Sequence, residues 1–184
     1  MKVAFLDRDG VINIDHGYVY QQSDFRWVPK ALEAMQILSQ KGWRIVIVTN
    51  QSGIARGYYT EKDLQKLHSW LITELMQSGV NVLDIRFCPH HPSKGHGVYL
   101  QNCSCRKPEP GMLTRAAKKH QFALADSIMF GDKPSDMQAG AAAGCKARIL
   151  LGTNGETTPQ PTPESTHTSQ SLYHAVTATW FDQL

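Results

Sequence analysis

The opening residues constrain this chain most. Met1-Lys2 lead straight into Val3-Ala4-Phe5-Leu6, an unbroken apolar run closed at once by Asp7-Arg8-Asp9-Gly10. A short continuous apolar run suits a strand buried on both faces, as in a parallel sheet. In open α/β sheets, ligands bind outside the carboxyl ends of the strands. Asp7 and Asp9 therefore arrive where chemistry is done. Side chains alternate along a strand, but the chain turns at this strand end, so both carboxylates can look into one crevice. They repel unless a cation, a proton or a cationic side chain compensates. An ordinary Asp-Gly turn closing a strand is the competing account, and the motif alone does not decide between them.

The rest of the chain repeats the same grammar. A first strand at 3–7 is followed by a long connection at 8–28, of a length that is usually functional in a compact domain. Pro29 can open a helix over about 30–41, stopped by Gly42. Trp43 to Val48 forms a second buried strand and ends in Thr49-Asn50-Gln51-Ser52-Gly53. Thr60 and Asp63 have capping-box spacing for a helix over about 61–78. Strands follow at 82–87, 127–131 and 146–151, with helices at 109–120 and 134–143. Strands alternating with helices predict an α/β, doubly wound parallel sheet, Rossmann-like, with helices on both faces. Residues 153–169 are rich in Thr, Pro, Ser and Gln, with little reason to pack, and read as a polar connector dispensable for catalysis. A C-terminal helix is expected at about 171–183. The 184 residues favour one domain.

Four strand ends carry chemistry: Asp7 and Asp9, Thr49 and Asn50, the segment leading to Arg106-Lys107, and Gly131-Asp132-Lys133-Pro-Ser-Asp136. In a parallel sheet they converge on one edge. Asp7, Asp9 and Asp132 form a strongly anionic oxygen set of the kind that selects Mg²⁺, which retains waters and binds phosphate. Lys107 and Lys133 then offset phosphate charge, and the Thr49 hydroxyl can donate to phosphate oxygens. One aspartate can serve as a nucleophile forming an aspartyl-phosphate. The second can protonate a leaving alcohol and later activate water.

A second cluster lies between the third strand and Lys107. Cys88, His90, Cys103 and Cys105 make a set of three sulfurs and one nitrogen suited to a closed, tetrahedral Zn²⁺ site. With no open position such a zinc is structural: it clips a slack Gly/Ser-containing loop and fixes where Arg106 and Lys107 point. His91 and His96 are spare, and Cys145 reads as buried packing.

The charge of +3 is too small to argue for nucleic acid, and no apolar run approaches the roughly 20 residues of a membrane span. No basic region followed by an apolar stretch and a cleavage site begins the chain, which favours the cytoplasm. A small phosphorylated molecule suits this balance, acted on by a monomer.

These motifs resemble the haloacid dehalogenase superfamily of phosphatases: Asp7-Arg-Asp9-Gly-Val, Thr49-Asn, Lys107-Pro and Gly131-Asp132-Lys133-x-x-Asp136, over residues 1–151. The resemblance implies Asp7 as nucleophile and Asp9 as general acid/base, with Thr49 and Lys107 holding the phosphoryl group. It implies Mg²⁺ on Asp7, the Asp9 carbonyl and Asp132, with Asp136 supporting the site. The zinc loop, Cys88-Pro-His-His-Pro with Cys103-x-Cys-Arg-Lys-Pro, looks like that of a branch without a large cap domain, and Asp15-x-Gly17-Tyr18 and Thr49-Asn-Gln-Ser-Gly-Ile-Ala-Arg-Gly-Tyr look like its heptose enzymes. That branch includes heptose bisphosphate and histidinol-phosphate phosphatases. The heptose enzymes fit better, implying removal of the 7-phosphate of a heptose 1,7-bisphosphate for the lipopolysaccharide core, with histidinol phosphate as the alternative substrate. Without a cap, the substrate surface must come from loops. Asp15, His16, Gly17 and Tyr18, the Asn50, Gln51 and Ser52 segment, Arg106 and Lys133 are the expected contacts. Lys30 departs from the glycine usual after the proline of the heptose enzymes.

Overall fold

Each apolar run predicted as a strand joins one parallel sheet in the computed structural model, which describes residues 1–184. The strands are β1 (Val3–Leu6), β2 (Arg44–Asn50), β3 (Val82–Cys88), β4 (Ser127–Gly131), β5 (Ala147–Leu151) and β6 (His167–Ser169), in the order β3-β2-β1-β4-β5-β6. All neighbours pair parallel. The order runs outward from β1 to β3, then reverses to β4 on the other side. The reversal opens a crevice between the carboxyl ends of β1 and β4, the switch point where such folds bind ligands.

Alternation along the strands fills both faces. Ala4, Leu6, Ile45 and Phe130 pack with α1 (Ala31–Gln40), α3 (Glu61–Gln77) and α6 (Leu172–Thr177). Val3, Phe5, Val46 and Met129 face the other way, against α4 (Gly111–His120) and α5 (Pro134–Ala143). Fully burying one such side chain is worth about 1.5–3 kcal/mol, so the two apolar layers dominate the stabilisation. The connections hold no large cap domain. The Thr60 box forms: Asp63 N–H donates to Thr60 Oγ1 at 3.2 Å, and Thr60 N–H to Asp63 Oδ2 at 3.0 Å. A one-turn helix, α2 (Ser52–Ala55), follows β2 directly. No helix is long and apolar enough to cross a membrane.

The C-terminal region corrects two expectations. The 153–169 segment is not a loose connector. His167–Ser169 forms β6, paired with β5 from Ile149 to Leu151. An edge strand needs only backbone partners, so three polar residues suffice and leave no apolar signature. The expected helix at about 171–183 breaks at Ala178, which is extended (φ −70°, ψ 143°), into α6 and a separate 3₁₀ turn, Thr179–Gln183.

Candidate active site

β1 delivers Asp7 in register: its N–H donates to Phe130 O at 3.0 Å, extending the β1–β4 ladder by one residue. The chain then turns at Gly10 (φ +87°), where a Cβ would lie 2.4 Å from Asp132 Oδ2. Glycine is required there twice over, for the backbone angle and for the approach of the carboxylate. A Cβ on Gly131 would likewise meet the Asp136 side chain at 2.3 Å. Asp136 is held at the start of α5, its Oδ2 accepting from Lys133 N–H at 3.0 Å.

Asp7, Asp132 and Asp136 are buried, with carboxylate oxygens within 4.8 Å of one another. The buried Lys107 ammonium lies 2.9 Å from Asp7 Oδ1 and 2.6 Å from Asp136 Oδ1, and donates to Val48 O at 2.8 Å. Its three donors are thereby committed. Asp136 and Asp7 hold Lys107 above its ordinary pKa although burial opposes this. Burial pushes Asp7 up to about 8 against the pull of Lys107, with Asp136 and Asp132 adding to the rise. Asp132 is also raised, by burial first. Neither buried oxygen of Asp132 has a hydrogen-bond partner. A hard divalent cation fits this oxygen set: it supplies the charge that one lysine does not, and gives the Asp132 oxygens a ligand.

Asp9 sits in a different environment. Its Oδ1 accepts from Arg8 NH2 at 2.8 Å and Asn13 Nδ2 at 3.0 Å, and its Oδ2 from Gln51 Nε2 at 2.9 Å. The charge of Arg8 and these hydrogen bonds overcome desolvation and keep Asp9 below the usual carboxylate range. The two aspartates of one turn are thus driven apart: Asp7 towards the neutral form, Asp9 towards the ionised one.

Arg8 is fully buried and spans from Asp9 to the Val19 carbonyl and His68 Nε2, the latter at 3.0 Å. Burial and the Arg8 charge push His68 down to about 3, so it stays neutral. In the unfolded chain a histidine titrates near 6.5. Between about 3 and 6.5 the unfolded state therefore binds the extra proton, and stability contributed by neutral His68 is lost as pH falls through that window. From pH 6.5 to 5 the loss is roughly 2 kcal/mol. Denaturant unfolding against pH will show a steeper acid loss for wild type than for His68→Gln; equal slopes would contradict a buried neutral imidazole.

The carboxylate floor opens into a cleft of about 420 Å³ lined by Asp7, Asp9, Thr49, Ser52, Arg106 and Lys133, among others. A second cavity of about 290 Å³ adjoins it, sharing Asp9, Asn50, Ser52 and Lys133, and adds Asp15, Gly17 and Tyr18. Lys133 bridges the two, 3.3 Å from Asp15 Oδ2, and Asp132, Asp7 and Asp15 raise its pKa despite burial. Not every expected contact faces the cleft. His16 is exposed and its Nε2 lies 2.9 Å from Asp24 O, outside both cavities. Asn50 lines the cleft, but its amide is committed to Lys107, accepting from its N–H and donating to its carbonyl, both at 3.0 Å. Gln51 bonds Asp9, Thr49 Oγ1 and the Tyr59 hydroxyl. Both amides position other site groups. Arg8, Asn13, Tyr59 and His68 were not anticipated. The only sequence signal was an arginine set between two aspartates, which says nothing of its burial.

The cysteine cluster assembles as predicted. Sγ atoms of Cys88, Cys103 and Cys105 lie 3.1–3.5 Å apart, and His90 Nδ1 is 3.4 Å from Cys105 Sγ and 3.7 Å from Cys88 Sγ. Tetrahedral ligation with Zn–S about 2.3 Å and Zn–N about 2.0 Å implies edges of roughly 3.5–3.8 Å, close to these. The Cys88 and Cys103 thiols push Cys105 down to about 5, towards the thiolate a metal needs. His91 stays out of the set, its Nδ1 accepting from Ser93 and Lys94 N–H. Cys145 is buried, as expected.

Residues 104–177 match a HAD-hydrolase-like family. The chain is 43% identical over 93% of its length to D-glycero-beta-D-manno-heptose-1,7-bisphosphate 7-phosphatase of Pasteurella multocida, covering 92% of that protein. It is equally similar, over 94% of its length and 93% of the relative's, to the corresponding alpha-anomer enzyme of Photorhabdus laumondii. Among solved structures, the D,D-heptose 1,7-bisphosphate phosphatase of B. bronchiseptica, complexed with magnesium and phosphate, superposes with a TM-score of 0.81 at 36% identity, covering 96% of each chain. The chain is a phosphoric monoester hydrolase of the haloacid-dehalogenase-like type, and it belongs to the family of the D-glycero-D-manno-heptose-1,7-bisphosphate 7-phosphatases.

Proposed function

We propose that this chain removes the 7-phosphate of D-glycero-D-manno-heptose 1,7-bisphosphate, with Mg²⁺ at Asp7, Asp132 and the Asp9 carbonyl and a structural Zn²⁺ on Cys88, His90, Cys103 and Cys105. The observation that carries this reading is the buried Lys107 ammonium against Asp7 at the floor of the cleft, in a chain whose relatives of matching length are named for that reaction. When bound, the magnesium neutralises phosphoryl charge and keeps Asp7 ionised.

Asp7 attacks phosphorus: its carboxylate oxygen bonds to P as the P–O bond to the C7 oxygen breaks, and the departing oxygen takes a proton. Asp9 supplies that proton. It is ionised in the free protein, so it must be loaded as the substrate dianion enters, which like-charge repulsion favours. Asp9 then takes a proton from water, whose oxygen displaces Asp7 from phosphorus. Phosphate leaves and the carboxylate is restored. Thr49 and Lys107 hold the phosphoryl oxygens. Lys107 exchanges its contact with Asp7 for one to phosphate, while Asp136 and Val48 O keep it in place. Asp15, Gly17, Tyr18, Ser52 and Lys133 face the sugar. Arg106, held by a 3.3 Å bond to His90 O on the zinc loop, offers a guanidinium fork to the sugar or its second phosphate. The same reading makes the protein a single-domain monomer of the cytoplasm that supplies heptose for lipopolysaccharide core.

Phosphate release from sugar bisphosphates, histidinol phosphate and a 3′-phosphorylated oligonucleotide tests the reading. The heptose bisphosphate is expected to have the highest kcat/KM. A higher value for histidinol phosphate would replace the substrate, and a higher value for the oligonucleotide would overturn the reading.

A further inference from the structure

The turn after β5 reaches back to the site. Asn154 lies in the left-handed region (φ 57°, ψ 11°), which asparagine tolerates better than most residues. Its N–H donates to Gly10 O at 2.8 Å. Its side-chain Oδ1 accepts from the Asp15 N–H, also at 2.8 Å, across 139 positions of sequence. One residue thus ties the turn that follows Asp7 to the loop that lines the outer cavity. The platform beneath it is fixed. Gly152 N–H donates to Ser169 O at 3.1 Å, a Cβ on Gly152 would lie 1.9 Å from Thr157 O, and Gln170 Nε2 donates to Gly155 O at 3.2 Å.

The other bonds that Asp15 makes are long. Asp15 Oδ1 accepts from Gly17 N–H at 3.2 Å, and Asp15 Oδ2 lies 3.3 Å from the half-exposed Lys133 ammonium. Gly17 and Tyr18 both have positive φ, 92° and 53°, and Gly17 is exposed. The flanks are held independently, Ile14 N–H on Arg26 O at 2.8 Å and the Val19 carbonyl on Arg8, so Asn154 is the short backbone anchor of Asp15 itself. Asn154 is not among the residues lining either cavity, and its hydrogen bonds go to Asp15 and Gly10 rather than to Asp7, Asp132 or Lys107.

We propose that Asn154 is a positioning residue: by fixing the Asp15 backbone it holds Asp15, Gly17 and Tyr18 where a phosphorylated sugar must pack, and so sets the preference for that substrate over phosphate esters without a sugar. This rests on the phosphatase reading above, and it replaces the expectation that 153–169 is dispensable.

Asn154→Gly keeps the positive φ and the N–H to Gly10 but removes the acceptor. Asn154→Asp keeps the acceptor. For the glycine variant, kcat/KM on the heptose bisphosphate is expected to fall about tenfold, mostly through KM, with p-nitrophenyl phosphate changed less than about twofold. The aspartate variant should recover to within about threefold of wild type. Equal losses on both substrates, or no loss on either, would overturn the proposal. A measurement without substrate separates it from the reading of function. Amide hydrogen exchange at Asp15, followed by NMR, should quicken at least about tenfold in Asn154→Gly. Unchanged exchange there would overturn the anchor, whereas failure of wild type on heptose bisphosphate with faster exchange in the variant would overturn only the substrate.

Discussion

Replacing Asp7 by Asn will cut turnover of any phosphate monoester by more than about a hundredfold, roughly 2.7 kcal/mol of barrier, while the fold persists. The amide has the shape of the carboxylate, and its oxygen still accepts from Lys107 and from Arg8 N–H, which now lie 2.9 Å and 2.8 Å from Asp7 Oδ1. It lacks the charge and basicity to attack phosphorus. Stability should move the opposite way. With the folded pKa of Asp7 at about 8 against 3.8 for the free group, the metal-free folded state binds the extra proton across that window. Its stability therefore falls as pH rises from 3.8 to 8. At neutral pH the native carboxylate is a burden, and Asp7→Asn should match or exceed wild type in Tm without metal, a trade-off common at catalytic positions. Single-turnover assays and thermal unfolding of one preparation check both halves. Residual kcat above a hundredth of wild type would exclude covalent catalysis at Asp7.

Cys105→Ser will lower Tm by roughly 10 °C, on the scale of about 2–4 °C per kcal/mol for a domain this long. Three close-set sulfurs and a ring nitrogen tie the end of β3 to the segment that enters the cleft. Zinc bound there stabilises the folded state, because no such site exists in the unfolded chain. The damage should not stop at stability. Arg106 and Lys107 follow Cys105 directly, and Lys107 reaches Asp7 only if that segment holds its course. The two metals therefore separate by experiment. Brief EDTA treatment that strips magnesium should stop activity reversibly without unfolding the protein, whereas the serine variant should be both less stable and less active in excess magnesium. Elemental analysis should find about one zinc per chain in wild type prepared without chelator and much less in the variant. Absence of zinc from wild type would refute a structural metal.

The central architecture was legible because the signals were local. Strands β1, β2, β4 and β5 are continuous apolar runs, and the Thr60–Asp63 cap is a fixed spacing; each element was found within a few residues of its predicted bounds. The convergence of Asp7, Thr49 and Asp132 follows from parallel strands, while Lys107 lies well beyond β3 and is brought in by the segment that the cysteine cluster holds. Strand β6 was missed because an edge strand is held by its backbone, and His-Thr-Ser carries no apolar pattern. The Arg8–Asp9–His68 network escaped because burial of an arginine depends on α3, some sixty residues away. Asn50 and Gln51, expected as substrate contacts because they follow a strand end, do line the outer cavity, and their amides also close on Lys107 and Asp9, a second role that position in sequence does not show.

The most direct test follows the two phosphates of D-glycero-D-manno-heptose 1,7-bisphosphate by ³¹P NMR in the presence of Mg²⁺. The C7 phosphate couples to a methylene and the C1 phosphate to a single anomeric proton, so each loss is assigned without separation. The resonance of the C7 phosphate should disappear as free phosphate grows, leaving the anomeric phosphate intact, and Asp7→Asn should leave both in place over the same period. Loss of the anomeric phosphate first, or of neither in wild type, would contradict the account.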